Sequence, residues 1–245
     1  MDVIVRIWRR LAPARLRAGV GRARARRWAL RPVKLGDLRR TTPINLSWGD
    51  GRGRSIDRIY IERFLERRRS DIRGRALEAK DDRYVRCFGT AVERVDILDL
   101  SPENTNATIV ADLQHAPAIP DDSFDCVVLT QVLQYVYDVR AALRTIHRIL
   151  APGGVMLATV PGITRISTGE SDAYADLWRF TRQSARRLAS DVFGADNVEV
   201  ESYGSVLTAA AFLYGLGSDD LRPEELDKND PLFEVIVAVR AVKRR

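Results

Sequence analysis

Residues 120–161 constrain the fold of this chain more than any other segment. Two apolar runs, 124–129 and 155–160, predict buried strands. Between them, residues 138–150 carry an apolar stripe at helical spacing, and a Pro-Gly-Gly turn follows. A strand, a helix and a second strand in this order indicate one half of an open α/β sheet, in which ligands bind at the carboxyl ends of the strands.

The rest of the chain supplies further elements of the same kind. β-branched and apolar runs predict five more strands, at residues 76–79, 94–98, 107–111, 198–203 and 233–242. Apolar residues at helical spacing predict further helices over residues 55–65, 181–193 and 206–216, the last of them Ala-rich and expected to be buried. Seven strands interleaved with helices predict a single α/β domain.

The excess positive charge lies in the first forty residues. Residues 1–40 contain twelve Arg and one Lys against two Asp, a net charge of +11, whereas the whole chain carries +7. We therefore expect a basic arm at residues 1–40 and a domain at residues 41–245. Apolar residues recur at helical spacing within residues 3–11, which is typical of an amphipathic helix on an anionic membrane. A solvated basic tail is the slightly favoured alternative. Nucleic-acid binding ranks below both, because aromatic residues are sparse in the arm.

Cysteine and histidine are too few to suggest a metal site. The chain has two Cys and two His, and neither a C-x-x-C pair nor a Cys/His cluster is present. We therefore expect no zinc, no disulfide framework and a reducing, cytoplasmic location, with peripheral contact to the inner face of the membrane through the arm as an open alternative.

Two strings within residues 120–161 carry a family resemblance. Residues 122–128 read DSFDCVV and residues 142–154 read ALRTIHRILAPGG. Together they resemble the class I S-adenosylmethionine-dependent methyltransferases. The resemblance implies a Rossmann-like fold, with a seven-stranded, mostly parallel sheet, an antiparallel last strand and helices on both faces. It also implies S-adenosylmethionine as cofactor and methyl transfer to an oxygen or nitrogen of an acceptor.

A narrower resemblance extends over roughly residues 36–243. The strings SIDRIYIERFL, LTQVLQYVYD, ATVPGI and LWRFT are similar to a bacterial subgroup of methyltransferase-domain proteins often associated with glycosyltransferases. This similarity implies a sugar or glycan-linked acceptor and a glycosyltransferase partner. The alternative is a non-catalytic methyltransferase-like module that binds such a partner. An RNA methyltransferase is a third option, which rests on the basic arm alone.

The family's glycine-rich turn after the first strand is altered in this chain. Glu78 stands at the acidic position of that motif, but no glycine follows until Gly89. Side chains in this turn would crowd a ligand that approaches the backbone closely. The resemblance implies that Glu78 contacts the cofactor and that Lys80 lies near the carboxylate of the cofactor.

The resemblance assigns the remaining cofactor contacts to the ends of the next strands. Asp96 is expected to bind the ribose hydroxyls, with Asp99 as the alternative. Asp112 and Leu113 follow the third strand, on the adenine side of the cofactor. Thr130 and Gln131 end the fourth strand and are expected to face the sulfonium.

Substrate contacts are expected from the segments that follow the fourth and fifth strands. They are Gln134 and Tyr135 after the fourth strand, and Trp178 and Arg179 after the fifth. An equally favoured alternative for the second pair is a hydrophobic staple into the next helix, with Thr181 as its N-cap. The residue patterns identify no general base.

Overall fold

The computed structural model describes residues 34–167 and 175–244. The chain divides into two units, residues 1–41 and 42–245. In the first unit the described residues form one 3₁₀ turn, Gly36–Arg39. The amphipathic helix predicted within residues 3–11 lies outside the described residues.

The second unit is built on one seven-stranded sheet. Its strands are β1 (Arg73–Ala79), β2 (Ala91–Asp99), β3 (Ile109–Val110), β4 (Phe124–Thr130), β5 (Leu150–Pro161), β6 (Val198–Tyr203) and β7 (Ile236–Val242). They lie in the order β3-β2-β1-β4-β5-β7-β6. β7 is antiparallel to both neighbours, and every other pair is parallel. The predicted mostly parallel sheet with its antiparallel last strand, a Rossmann-like class I methyltransferase fold, is thus confirmed.

Helices cover both faces of this sheet. They are α1 (Ile56–Arg67), α2 (Arg83–Phe88), α3 (Val139–Ile149), α4 (Arg182–Phe193), α5 (Val206–Leu213) and α6 (Pro223–Leu226). The apolar sides of α3 and α4 pack on one face, in a cluster that includes Leu77 and Val127. The apolar sides of α1, α2 and α5 pack on the other face, with Ala76 and Val128. Because β4 is covered on both faces, its apolar residues are consecutive rather than alternating.

Side-chain caps fix where helices α3 and α4 begin. Asp138 accepts a hydrogen bond from the backbone N–H of Ala141 (2.9 Å) at the start of α3. Thr181 accepts one from Ser184 (3.1 Å) at the start of α4, so its predicted N-cap role is confirmed. Each cap satisfies a backbone donor that the first helical turn leaves without a partner.

Some predicted boundaries are wrong. The last strand begins at Ile236, not at residue 233, because Phe233 donates to the carbonyl of Asp230 in a turn (2.9 Å). The helix predicted to reach residue 216 ends at Leu213. Gly215 follows with φ +72, and a Cβ there would lie 1.9 Å from the carbonyl oxygen of Asn45. The short helix α2 was not predicted, because its six residues show no full apolar stripe.

Core packing around α3 yields a stability prediction. Ile146 is fully buried in the cluster under α3, so Ile146→Ala leaves a cavity and is expected to lower the free energy of unfolding by about 2–5 kcal/mol. Urea unfolding followed by circular dichroism measures this loss. Arg144 lies exposed on the same helix, and Arg144→Ala is expected to change stability by less than about 0.5 kcal/mol. Equal losses in the two variants would contradict the packing assigned to α3.

Candidate functional site

The candidate site lies where the strand order of the sheet reverses. β1 and β4 are adjacent, yet the chain continues from β1 to β2 on one side and from β4 to β5 on the other. In open α/β sheets, ligands bind in the crevice at the carboxyl ends of such a strand pair. Lys80 follows β1 with φ +77 and Gln131 follows β4 with φ +57. Backbone conformations of this kind cost about 1–3 kcal/mol and cluster at functional sites.

Glu78 holds the turn after β1 in place. Its side chain is 1% exposed and accepts hydrogen bonds from the backbone N–H groups of Tyr84 (3.0 Å) and Val85 (2.7 Å). Both donors belong to the first turn of α2. Burial raises the pKa of Glu78 to about 7 despite these two bonds. The carboxylate is therefore engaged by the fold, which does not support the predicted contact between Glu78 and cofactor.

Asn104 ties the ends of β1 and β2 together. Its amide nitrogen donates to the carbonyl of Lys80 (2.7 Å) and to Oδ2 of Asp99 (2.6 Å). Oδ1 of Asp99 accepts from the backbone N–H of Ser101 (3.0 Å). The loop after β2 thus closes over this corner of the crevice. Sequence reasoning missed Asn104, because its two partners lie in different strand ends.

The strand-end carboxylate of β2 is Asp99, not Asp96. β2 extends to Asp99, one residue beyond the predicted end. Asp96 is paired in register with Leu77, is 7% exposed, and accepts from the hydroxyl of Thr108 (2.9 Å) and the guanidinium of Arg94 (2.9 Å). Residues three apart in a strand point to opposite faces. The expectation that Asp96 takes the strand-end position is therefore wrong, and its alternative, Asp99, occupies that position.

Asp112 and Leu113 follow β3 and differ in their surroundings. Asp112 accepts from the backbone N–H of Gln114 (2.8 Å) and so shapes the turn, and the carbonyl of Gln114's side chain accepts from the backbone of Asp138 (2.8 Å). Leu113 is buried in the core cluster. Asp112 and Leu113 thus lie beside the candidate site. The carboxylate of Asp112 is hydrogen-bonded within its turn, and the side chain of Leu113 is packed in the core.

Four predicted residues lie at the end of β4 or in the segment that follows it. Thr130 ends the strand, and Gln131 donates its N–H to the carbonyl of Thr159 in β5 (2.8 Å). Tyr135 ends the 3₁₀ turn that follows. The side-chain nitrogen of Gln134 donates to the carbonyl of Gln131 (3.0 Å).

Gln134 also carries an unsatisfied acceptor. Its side chain is 3% exposed, and among the described residues none donates a hydrogen bond to its Oε1 atom. Burying such an oxygen without a partner costs about 1–3 kcal/mol. The arrangement therefore leaves a buried acceptor directly after β4, where a ligand donor would satisfy it.

Trp178 lies against this same segment. Its indole N–H donates to the carbonyl of Val136 (3.0 Å), and its backbone N–H donates to the carbonyl of Gln134 (3.3 Å). Its ring lies 6.4 Å from that of Tyr137, tilted by 41°. The structure thus brings the predicted Trp178 and Gln134 together and adds Tyr137, which sequence reasoning did not single out.

Arg179 is held by its own loop. Its guanidinium donates to both oxygens of Asp176 (2.5 and 2.8 Å) and to the carbonyl of Arg165 (2.8 Å). These contacts join Arg179 to Arg165 and Asp176 between β5 and α4. The structure thus gives Arg179 partners within the protein, and its contact with substrate stays a prediction.

Arg165 links this segment to the residues that precede α1. Its guanidinium stacks on the ring of Trp48 with 3.4 Å to the centroid and donates to the carbonyl of Leu46. A partly exposed cation–π contact of this kind contributes about 0.5–2 kcal/mol. Burial lowers the pKa of Arg165 below its usual value. The residues around Trp48 therefore lie at the same edge of the sheet as the end of β5.

Comparison with known proteins identifies the domain that carries this site. Residues 76–158, from β1 into β5, match the family model described as a methyltransferase domain. The chain is 38% identical over 73 residues to the ubiquinone/menaquinone biosynthesis C-methyltransferase UbiE of Pectobacterium carotovorum. That alignment covers 29% of this chain and 29% of the relative. The chain thus matches less than a third of the curated relative's length.

Solved structures of similar shape are more distant in sequence. The [4+2]-cyclase SpnF is 16% identical, with a TM-score of 0.49 over 82% of this chain and 88% of that chain. An S-adenosylmethionine-dependent methyltransferase from Mesorhizobium loti is 18% identical, with a TM-score of 0.48 over 77% of this chain and 98% of that one.

S-adenosylmethionine is the cofactor of this class of domain, and the residues present fit its adenosyl part. Asp99 places a carboxylate at the end of β2, where ribose hydroxyls need an acceptor. The backbone at Lys80 keeps a left-handed conformation that glycine usually supplies. The turn after β1 differs from the family pattern because it lacks glycine, and its Glu78 binds the backbone of α2.

The raised pKa of Glu78 predicts a pH-dependent stability. The folded state holds this proton up to about pH 7, whereas the unfolded chain releases it near the ordinary value of 4.5. Stability contributed by Glu78 is therefore present at low pH and is lost as the pH rises through about 7. Relative to Glu78→Gln, the free energy of unfolding of the wild type is expected to rise by about 2 kcal/mol as the pH falls from about 7.5 to about 5. Urea unfolding at each pH measures the difference, and parallel pH profiles would contradict it.

Proposed function

We propose that this protein, whose residues 76–158 form a class I S-adenosylmethionine-dependent methyltransferase domain, transfers a methyl group to an oxygen or nitrogen of an acceptor. One observation carries the proposal. Within the matched domain, Asp99, Lys80 and Gln131 stand at the carboxyl ends of three adjacent strands, β2, β1 and β4. This is the place where an open α/β sheet binds its ligand.

Asp99, Asp112 and Lys80 each have a distinct part in holding the cofactor. Asp99 accepts hydrogen bonds from the ribose hydroxyls, and Asp112 lies on the adenine side. The ammonium of Lys80 pairs with the carboxylate of the methionine part. When bound, the cofactor supplies an electrophilic methyl group, so the protein mainly holds two reactants in position and excludes water.

The acceptor side of the site is formed after β4 and β5. Oε1 of Gln134 accepts a hydrogen bond from a hydroxyl or N–H group of the methyl acceptor. The tilted rings of Tyr137 and Trp178 offer an apolar surface beside it. A sugar ring with one apolar face fits such a surface, which supports the proposal of a sugar or glycan-linked acceptor. The basic arm at residues 1–40 supports a cytoplasmic location with peripheral contact to the inner face of the membrane.

A second candidate function is a methyltransferase-like module that binds a glycosyltransferase and performs no reaction. The turn after β1 favours it, because this turn lacks glycine and because Glu78 is bound to the backbone of α2. The carboxylate of Asp99 favours the enzyme, since it stands at the end of β2, at the edge where an open α/β sheet binds its ligand.

Calorimetric titration with S-adenosylmethionine and S-adenosylhomocysteine tests the cofactor site. We expect saturable binding of both ligands to the wild type. Asp99→Asn is expected to weaken the binding of both ligands by about 1–3 kcal/mol, since a carboxylate acceptor for the ribose is lost. Asp96→Asn is the matched control, because it changes the same group on the other face of β2, and its affinity is expected to equal that of the wild type.

Two outcomes would contradict these assignments. Equal affinity of Asp99→Asn and the wild type would remove Asp99 from the ribose position. Absence of binding by the wild type at millimolar ligand, with a folded protein by circular dichroism, would favour the module, and a pull-down with glycosyltransferases would then follow.

A further inference from the structure

Exposed apolar side chains gather at one end of the domain. Within residues 42–167 and 175–244, the five most exposed large apolar side chains have between 59% and 81% of their surface open to solvent. They are Leu232, Tyr137, Leu46, Ile166 and Val206. Exposed apolar surface in one contiguous region marks an interaction site more often than scattered residues do.

The topology places all five at the carboxyl edge of the sheet. Tyr137 follows the end of β4, Ile166 the end of β5, and Val206 the end of β6. Leu232 precedes β7, whose first residue pairs with the last residue of β5. Leu46 is held at this edge by the hydrogen bond from Arg165. These side chains therefore lie on five separate segments at the same edge of the sheet as the candidate site.

The opposite edge of the sheet is covered by ion pairs. At the start of β1, Arg75 pairs with Asp125 (3.2 Å). After β7, Lys243 pairs with Asp122 (2.6 Å). Near the same edge, Arg240 pairs with Asp71 (2.8 Å). The amino edge is thus charged, whereas the carboxyl edge combines exposed apolar side chains with ion pairs such as Arg179 with Asp176.

Three observations indicate that the apolar edge meets a lipid surface. The exposed side chains stand on separate segments at the carboxyl edge, four on loops and Val206 at the start of α5, which suits insertion between headgroups. They include Tyr137, whose ring lies beside that of Trp178, and such amphipathic rings favour the membrane interface. Residues 1–40, which carry a net charge of +11, precede Leu46 in the sequence, and each basic residue near an anionic bilayer contributes attraction.

We propose that the carboxyl edge of the sheet docks on a bilayer that carries anionic headgroups, with Leu46, Tyr137, Ile166, Val206 and Leu232 inserted at the interface. The mouth of the site then opens toward the membrane. If the proposed methyl transfer holds, the acceptor is a molecule that the bilayer presents, with a lipophilic part. Among residues 34–167 and 175–244, no helix is long and apolar enough to cross a bilayer.

Vesicle binding by the full-length protein, without cofactor or acceptor, tests the docking surface. Sedimentation is measured with vesicles of phosphatidylcholine and phosphatidylglycerol, at low and at high salt. We expect binding that weakens but persists at high salt, because salt screens the arm and not the apolar contact. The double variant Ile166→Ser/Leu232→Ser is expected to bind about tenfold or more weakly at both salt concentrations.

A matched control changes two exposed charged residues at the amino edge. Arg73→Ser/Glu93→Ser keeps the net charge, and its vesicle binding is expected to equal that of the wild type. Wild-type affinity in the apolar double variant would overturn the proposal. So would binding that high salt abolishes, since the arm alone would then account for it.

A protein partner is the other occupant that the experiment recognises. Analytical ultracentrifugation of the same variants measures self-association. Self-association of the wild type that Ile166→Ser/Leu232→Ser removes, without any vesicle binding, would assign the edge to a second copy of the chain and overturn the lipid proposal. Because no cofactor is present, a failed vesicle experiment is distinct from a failed cofactor titration.

Discussion

The parallel pairing of β1 with β4 in the middle of the sheet is the contact on which the rest of the domain depends. Three register pairs, from Ala76 with Cys126 to Glu78 with Val128, join two halves that wind in opposite directions from this line. Both strands are buried by helices on each face, so their apolar runs drive the assembly of the two core clusters. The same pairing opens the crevice at their carboxyl ends. Stability and site position thus come from one interaction.

Glu78 shows how the fold uses a group that the family resemblance assigns to the ligand. Its carboxylate is the link between the end of β1 and the first turn of α2, and its burial is offset by two backbone donors. With this link in place, the turn tolerates Lys80 in a left-handed conformation instead of glycine. The altered motif is therefore a consistent local structure. In the proposed function, recognition of the cofactor rests on Asp99, Asp112 and Lys80.

The two edges of the sheet differ in how many large apolar side chains they expose. At the amino edge, charged side chains pair with each other across loops, which keeps that end of the domain soluble at little cost. At the carboxyl edge, apolar side chains remain exposed, which raises the free energy of the isolated protein unless a partner covers them. Arg165 and Arg179 hold the backbone at or next to two of these side chains, Leu46 and Ile166, through backbone carbonyls and Asp176. The edge that bears the site is thus preorganised, and its apolar surface is retained.

Apolar periodicity by itself determined the class of fold, because it records which residues must leave water. The runs at residues 124–129 and 155–160 specified buried strands, and the stripe at 138–150 specified the helix between them. Only the tertiary structure decided which polar groups remain for a ligand, since a side chain's partners come from distant parts of the chain. Asn104 meets Lys80 across 24 residues, and Arg179 meets Arg165 across 14. The choice of Asp99 over Asp96 depended on where β2 ends, and the exposure of Val206 depended on which side of α5 faces the core. Hydrogen bonding is directional and non-local, so residue spacing does not encode it.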